Sequence, residues 1–89
     1  MNIREAILDA LADGGESIIQ IQEYLNYLGL NIDKEKLFNE IATLLKQGKI
    51  YIEYPPDVKN FDELNITNIE DYWFELTPEG RSEWNNIII

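Results

Sequence analysis

The chain has 89 residues, of which 45% are apolar and 11% aromatic, enough for one folded domain with a single modest core. It contains no cysteine and no histidine, which excludes disulfides, thiolate zinc sites and catalysis by a histidine base. Its net charge of −10 repels phosphate backbones and anionic membrane surfaces, except where basic residues are gathered locally.

Apolar residues recur at helical spacing in three windows of the first half of the chain. This spacing predicts helices at about 3–13, 17–29 and 34–47. Asn2 and Ser17 are suited to cap the first two helices, because Glu or Gln follows each of them three residues later. Each predicted helix ends at a glycine or just before one, a common residue where helices end.

The next segment alternates as a strand does. Ile50, Ile52 and Tyr54 share one face, and the residues between them occupy the other, which predicts a strand at about 49–54. Two prolines follow and end it.

A long acidic connection at 55–71 leads to a second predicted strand at about 72–76. Thr77, followed by proline, then provides a cap and a first helical position for a fourth helix at about 78–85. The sequence shows no internal repeat and no second domain, so 1–89 is predicted to be a single domain.

Two local motifs resemble the winged-helix superfamily. Residues 44–50, LLKQGKI, resemble the exit from a recognition helix into the first wing strand. Residues 74–81, FELTPEGR, resemble the passage from the second wing strand to the last helix in many small bacterial regulators. The order of the predicted elements resembles the same superfamily over nearly the whole chain.

The resemblance implies an α+β winged helix, with a three-helix bundle, a two-stranded β-hairpin wing and a C-terminal helix. It also implies that the second and third helices form a helix-turn-helix pair and that 55–71 is the wing loop. Winged helices act both as DNA readers and as protein-binding modules, so the fold does not decide the function. The regulator-like motif, together with the lack of a targeting or membrane-length segment, predicts a cytoplasmic protein from a bacterium or phage.

A DNA-reading relative would place the third helix in the major groove. The polar residues available there for base and phosphate contacts are Lys36, Asn39, Thr43, Lys46 and Gln47. Residues 34–49 carry four lysines against two glutamates, a net charge of +2, whereas the remainder of the chain carries −12. A small DNA-binding transcriptional regulator is therefore one hypothesis, set against a solvated helix face of mixed charge.

The predicted wing argues against DNA. Residues 50–76 carry seven carboxylates and one lysine, a net charge of −6, where a DNA-binding wing would offer cations to phosphates. Large apolar residues are interspersed through this acidic segment, either as cover for the core or as part of a partner surface. The favoured hypothesis is a protein-interaction module with a basic protein partner, anchored by Tyr51, Tyr54, Phe61 and Trp73.

The C-terminal segment leaves two alternatives open. Trp84 and the final three isoleucines could pack against the first helix or form a weak homodimer contact. The chain lacks the long additional dimerisation helix of many winged-helix regulators, so both a monomer and a dimer remain hypotheses.

The sequence gives no indication of an enzyme. The carboxylate pairs at 62–63 and 70–71 lie in a predicted loop, where adjacent residues do not converge in a cleft as two-carboxylate hydrolysis requires. No phosphate-binding loop, EF-hand spacing or nucleophile elbow is present. We therefore expect no catalytic residues, no cofactor and no metal site.

Overall fold

A computed structural model describes residues 1–56, 58 and 71–88. These residues form an α+β fold of four helices and a three-stranded antiparallel sheet, which confirms the predicted class. The elements in chain order are α1 (Ile3–Ala10), β1 (Glu16–Ser17), α2 (Ile18–Tyr27), α3 (Lys34–Lys46), β2 (Ile50–Tyr54), β3 (Trp73–Leu76) and α4 (Pro78–Ile88). In the part of the chain described, no helix is both long and apolar enough to cross a membrane.

The predicted helix caps are confirmed. The Asn2 side chain accepts a hydrogen bond from the Glu5 backbone, and the Glu5 carboxylate accepts one from the Asn2 backbone. Ser17 and Gln20 form the same reciprocal pair at the start of α2. Asp33 caps α3 through its carboxylate. These short-range bonds satisfy backbone N–H groups that have no partner inside the helix.

The sheet differs from the predicted two-stranded hairpin, because β1 adds a third strand beside β3 and the strand order is β1-β3-β2. Glu16 pairs with Phe74 and Ser17 with Trp73. Two residues are too few to show strand alternation, and Ser17 is also the cap of α2. The sequence signal of the helix therefore concealed the strand.

Two helix ends also differ from the sequence prediction. Helix α1 ends at Ala10, where Leu11 caps it, rather than near residue 13. Helix α4 continues to Ile88 rather than ending near 85, because Trp84 and Ile87 pack against the core and give the last turns a buried side. Trp84 and Ile87 thus pack within their own chain, and the homodimer alternative stays a prediction.

The core lies between the helices and one face of the sheet. Phe74 is the largest fully buried side chain, and Ile50, Ile52 and Leu76 lie beside it on the inner face. Most of the other buried apolar side chains come from the helices and their ends: Ala6, Ile7, Leu8, Leu11, Ile18, Ile21, Leu25, Leu37, Ile41 and Leu44. Ile32 and Tyr72, from connecting segments, complete the cluster. Burial of these side chains supplies most of the free energy that opposes chain entropy.

Thr77 connects the start of α4 to the turn that precedes β2. Its hydroxyl donates to the Gly48 carbonyl at 2.6 Å and accepts from the Gly80 N–H at 3.0 Å. Its backbone N–H donates to the Lys49 carbonyl at 3.1 Å. Gly80 is buried directly against that carbonyl, and a Cβ at this position would overlap it. Packing therefore explains the threonine and the glycine of LTPEG, residues 76–80 of the second motif.

We expect Gly80→Ala to destabilise the fold by about 1–3 kcal/mol, the usual cost of forcing an extra carbon into a packed site. Alanine ordinarily stabilises a helix interior by about 1 kcal/mol over glycine, so a net loss identifies the close approach to Lys49 as the cause. Urea unfolding measures the change. Ser82→Ala, at an exposed position of α4, is the matched control and is expected to stay within about 0.5 kcal/mol. A Gly80→Ala protein as stable as the parent would contradict the close contact.

Candidate functional site

The side of the sheet that faces away from the core carries a cluster of aromatic and acidic residues. We call it the outer face and define it by Tyr51, Glu53, Tyr54, Trp73 and Glu75. The three aromatic side chains are 44%, 56% and 39% exposed, in chain order. Isolated exposed aromatic residues are common, but here three lie on one side of a small sheet, and two of them are cross-strand partners.

A strand irregularity brings two of these aromatic residues together. Ile52 pairs with Phe74 and Tyr54 pairs with Trp73, so β2 contains one extra residue relative to β3 at this point. A bulge of this kind shifts the alternation of the strand that contains it. Simple alternation had predicted Tyr54 on the same face as Ile52. The structure corrects this: Tyr54 is exposed and lies opposite Trp73.

The acidic part of the outer face is a carboxyl pair on neighbouring strands. Tyr51 and Glu75 are cross-strand partners, and the Tyr51 hydroxyl donates to Glu75 Oε2 at 3.0 Å. The Glu53 side chain reaches across β3 and packs over the backbone of Gly15, where a Cβ would displace it. The register of β1 and β3 places Gly15 beside Glu75, so the two carboxyl groups are close. Glycine before β1 therefore leaves room for the Glu53 side chain.

This arrangement raises the pKa of both titratable neighbours of Glu75, which are Glu53 and Tyr51. Partial desolvation, and then the hydrogen bond and charge of Glu75, raise the pKa of Glu53. The hydrogen bond to Glu75 is the main reason that the pKa of Tyr51 is raised as well. A proton or another cation between Glu53 and Glu75 relieves the repulsion of two like charges. The outer face is thus electrostatically suited to a positively charged group.

The five residues predicted for DNA contact lie together, and all are exposed. Lys36, Asn39, Thr43 and Lys46 belong to α3, and Gln47 is its C-cap. The Thr43 hydroxyl donates to the Asn39 carbonyl at 3.0 Å, so one of the groups predicted to donate to DNA already donates within the helix. Lys36 and Asn39 line a shallow groove on this surface, and Asp33 and Glu35 line it as well. The α3 surface is therefore mixed in charge.

A third polar region, which the sequence did not predict, joins three helices around Asp9. The Asp9 carboxylate accepts one hydrogen bond from the Tyr24 hydroxyl and another from Trp84 Nε1, the latter at 2.9 Å. The bond to Asp9 raises the pKa of Tyr24 to about 12. Arg81 lies over the Trp84 ring, 5.9 Å from its centroid. No local pattern links residues so far apart in the chain.

A cavity of about 240 Å³ adjoins this cluster and is lined by both polar and apolar side chains. Each Asp9 oxygen already has a donor within the chain. A carboxylate satisfied in this way stabilises the packing of α1, α2 and α4, and we assign the cluster that structural role.

Two predicted features lie outside the described residues. These are Phe61, one of the four proposed anchors, and most of the acidic connection, including both residues of the pair at 62–63. Tyr51, Tyr54 and Trp73, the other three anchors, come together on the outer face. Within 1–56, 58 and 71–88, no group of three or more carboxylates is arranged to hold a metal ion.

Comparisons with protein-family models, with curated proteins and with solved structures give no match to this chain. Any functional inference therefore depends on the chemistry of the surfaces described above.

We expect Glu53→Gln to stabilise the fold at neutral pH, because it removes one of two adjacent carboxylates. The gain should not exceed about 1 kcal/mol, since the side chain is exposed and screened by solvent. Because the pKa of Glu53 is raised in the folded state, the folded protein binds this proton more tightly than the unfolded chain does. The ordinary pKa of a glutamate is near 4.5. As the pH rises from that value through the raised pKa of folded Glu53, the parent should therefore lose stability relative to the variant.

Urea unfolding of parent and variant at about pH 4 and pH 7 measures this difference. Glu23→Gln, exposed on α2, removes the same charge elsewhere and corrects for the general benefit of lowering a net charge of −10. A gain for Glu53→Gln that equals the Glu23→Gln gain at both pH values would rule out specific repulsion.

Proposed function

We propose that this chain is a non-catalytic protein-interaction module of winged-helix type, which binds a basic partner protein through the outer face of its sheet. The observation that carries the proposal is the grouping of three exposed aromatic side chains with two adjacent carboxyl groups on one sheet face. The core does not need these residues, because the inner face of the same strands is separately filled by aliphatic and phenyl groups.

The winged-helix part of the proposal is supported by the order of the elements. Three helices precede β2 and β3, and a long connection separates these two strands. The last helix, α4, begins at Pro78, within the 74–81 motif that resembles the passage from wing strand to last helix in winged-helix proteins. The bacterial or phage source and the cytoplasmic setting stay predictions from the sequence.

The aromatic residues suit the centre of a binding interface. Tyrosine and tryptophan supply large contact areas at a low cost in side-chain entropy and are frequent among residues that dominate binding energy. Tyr54 and Trp73 are directly opposed, so both rings are available to one partner segment. The net charge of −10 favours encounter with a positively charged partner.

A second candidate function is DNA binding through α3. It is favoured by the grouping of Lys36, Asn39, Thr43, Lys46 and Gln47 on one exposed surface. Against it, typical DNA readers make about 6–10 phosphate contacts. Here the predicted contact residues include only two lysines, and one of them, Lys36, shares its groove with Asp33 and Glu35. The protein-interaction function is therefore the better supported of the two.

Site-specific photo-cross-linking in the cells that make the protein distinguishes the two functions. A benzophenone amino acid is placed at Tyr54 on the outer face, at Gln47 beside α3 and at Asn85 on α4, all exposed positions. We expect a discrete protein adduct from position 54 and none of comparable yield from 47 or 85. Nuclease-sensitive adducts from position 47, with none from 54, would replace the proposal with DNA binding.

A further inference from the structure

The two carboxyl groups of the outer face lie close enough to serve one ligand group together. The Glu53 carboxyl reaches across β3 to Gly15, which the antiparallel register of β1 and β3 places beside Glu75. The Tyr51 hydroxyl donates to Glu75 from the neighbouring strand. The Glu53 carboxyl rests on Gly15, which limits how far it can retreat. Two acceptor groups held in this way present several lone pairs toward solvent.

Aromatic rings lie within a side-chain length of this pair. Trp73 is two residues from Glu75 on the same strand and therefore on the same side of the sheet, about 6–7 Å away along the strand. Tyr54 lies across from Trp73 on the neighbouring strand, about 5 Å away as strands are spaced. One cation with a flat, weakly hydrated head can therefore contact the carboxyls and a ring face at once.

We infer that the outer face binds an arginine side chain of an extended basic segment in a partner protein, with the guanidinium between Glu53 and Glu75 and against the ring of Trp73. This inference rests on the proposed function and specifies the chemistry of the partner. The guanidinium has five N–H donors in a planar fork, which suits paired carboxyl groups and stacks on aromatic faces. Lysine offers a compact ammonium that satisfies fewer acceptors and stacks less well.

Other cationic ligands fit the face less well. Calcium takes six to eight oxygen ligands, whereas no group of three or more carboxylates in the described residues is arranged for a metal. Free arginine would bring its own carboxylate toward an acidic surface on a protein of net charge −10. Arginine within a peptide chain lacks that carboxylate, and its neighbours can cover Tyr54 and Tyr51, which are 56% and 44% exposed.

Isothermal titration calorimetry at low salt tests this inference with a short, terminally blocked peptide that carries two arginines in a glycine–serine background. Matched peptides carry lysine or citrulline at the same positions, and free arginine serves as a fourth ligand. We expect the arginine peptide to bind several-fold more tightly than the lysine peptide. The citrulline peptide and free arginine should bind at least about tenfold more weakly than the arginine peptide, because one lacks the charge and the other adds a carboxylate.

The double variant Glu53→Gln/Glu75→Gln should lower the affinity for the arginine peptide by at least about tenfold. The matched control, Glu23→Gln/Glu35→Gln, removes two exposed carboxylates from other surfaces and should change it by less than about threefold, since distant charges are screened. Urea unfolding of each variant shows whether a lost affinity reflects lost structure.

Equal losses in the two double variants, or equal affinity for the arginine and citrulline peptides, would overturn the inference. The proposed function is tested separately, by the photo-cross-linking experiment. A protein adduct from position 54 combined with no preference for arginine retains the interaction module and rejects only the arginine chemistry.

Discussion

The close contact between the start of α4 and the turn before β2 determines where both faces of the sheet lie. Thr77 bonds Gly48 and Lys49 at the end of the sheet where β2 begins and β3 ends, while Gly80 lets the helix backbone reach the Lys49 carbonyl. These bonds continue the β2–β3 pairing beyond its last strand residues and set its register. Because a one-residue slip would exchange the two faces, the contact maintains the separation of the aliphatic core from the polar outer face.

The outer face is arranged in a way that folding alone does not require. Glu53 and Glu75 are like charges on neighbouring strands, and partial desolvation together with Glu75 raises the pKa of Glu53. The bulge in β2 adds an exposed Tyr54 opposite an exposed Trp73. Such local costs are frequently found at binding surfaces, where stability is lower than it could be because the residues serve a partner. The Asp9 cluster is the opposite case, since its polar groups satisfy one another.

The sequence predicted those features that depend on near neighbours. Capping pairs lie three residues apart, and apolar stripes repeat every turn, so the helix starts at Asn2 and Ser17 were recognisable. Strand β1 has only two residues and exists through pairing with a segment more than fifty residues later, which no local pattern records. Three proposed anchors are recognisable from their residue type. The register shift that exposes Tyr54 is not, and neither is the Glu53–Glu75 pair, because both depend on cross-strand register. Register is a tertiary property.

We propose that the outer face of the sheet, and not α3, is the binding surface of this protein. Isotope-filtered NOE spectroscopy of the labelled protein with the unlabelled arginine peptide observes that surface directly. We expect contacts from the arginine methylene protons to the ring protons of Trp73 and Tyr51, on adjoining strands. Contacts from the same protons to Asn39 and Thr43 of α3, with none to the sheet when the peptide is saturating, would contradict it.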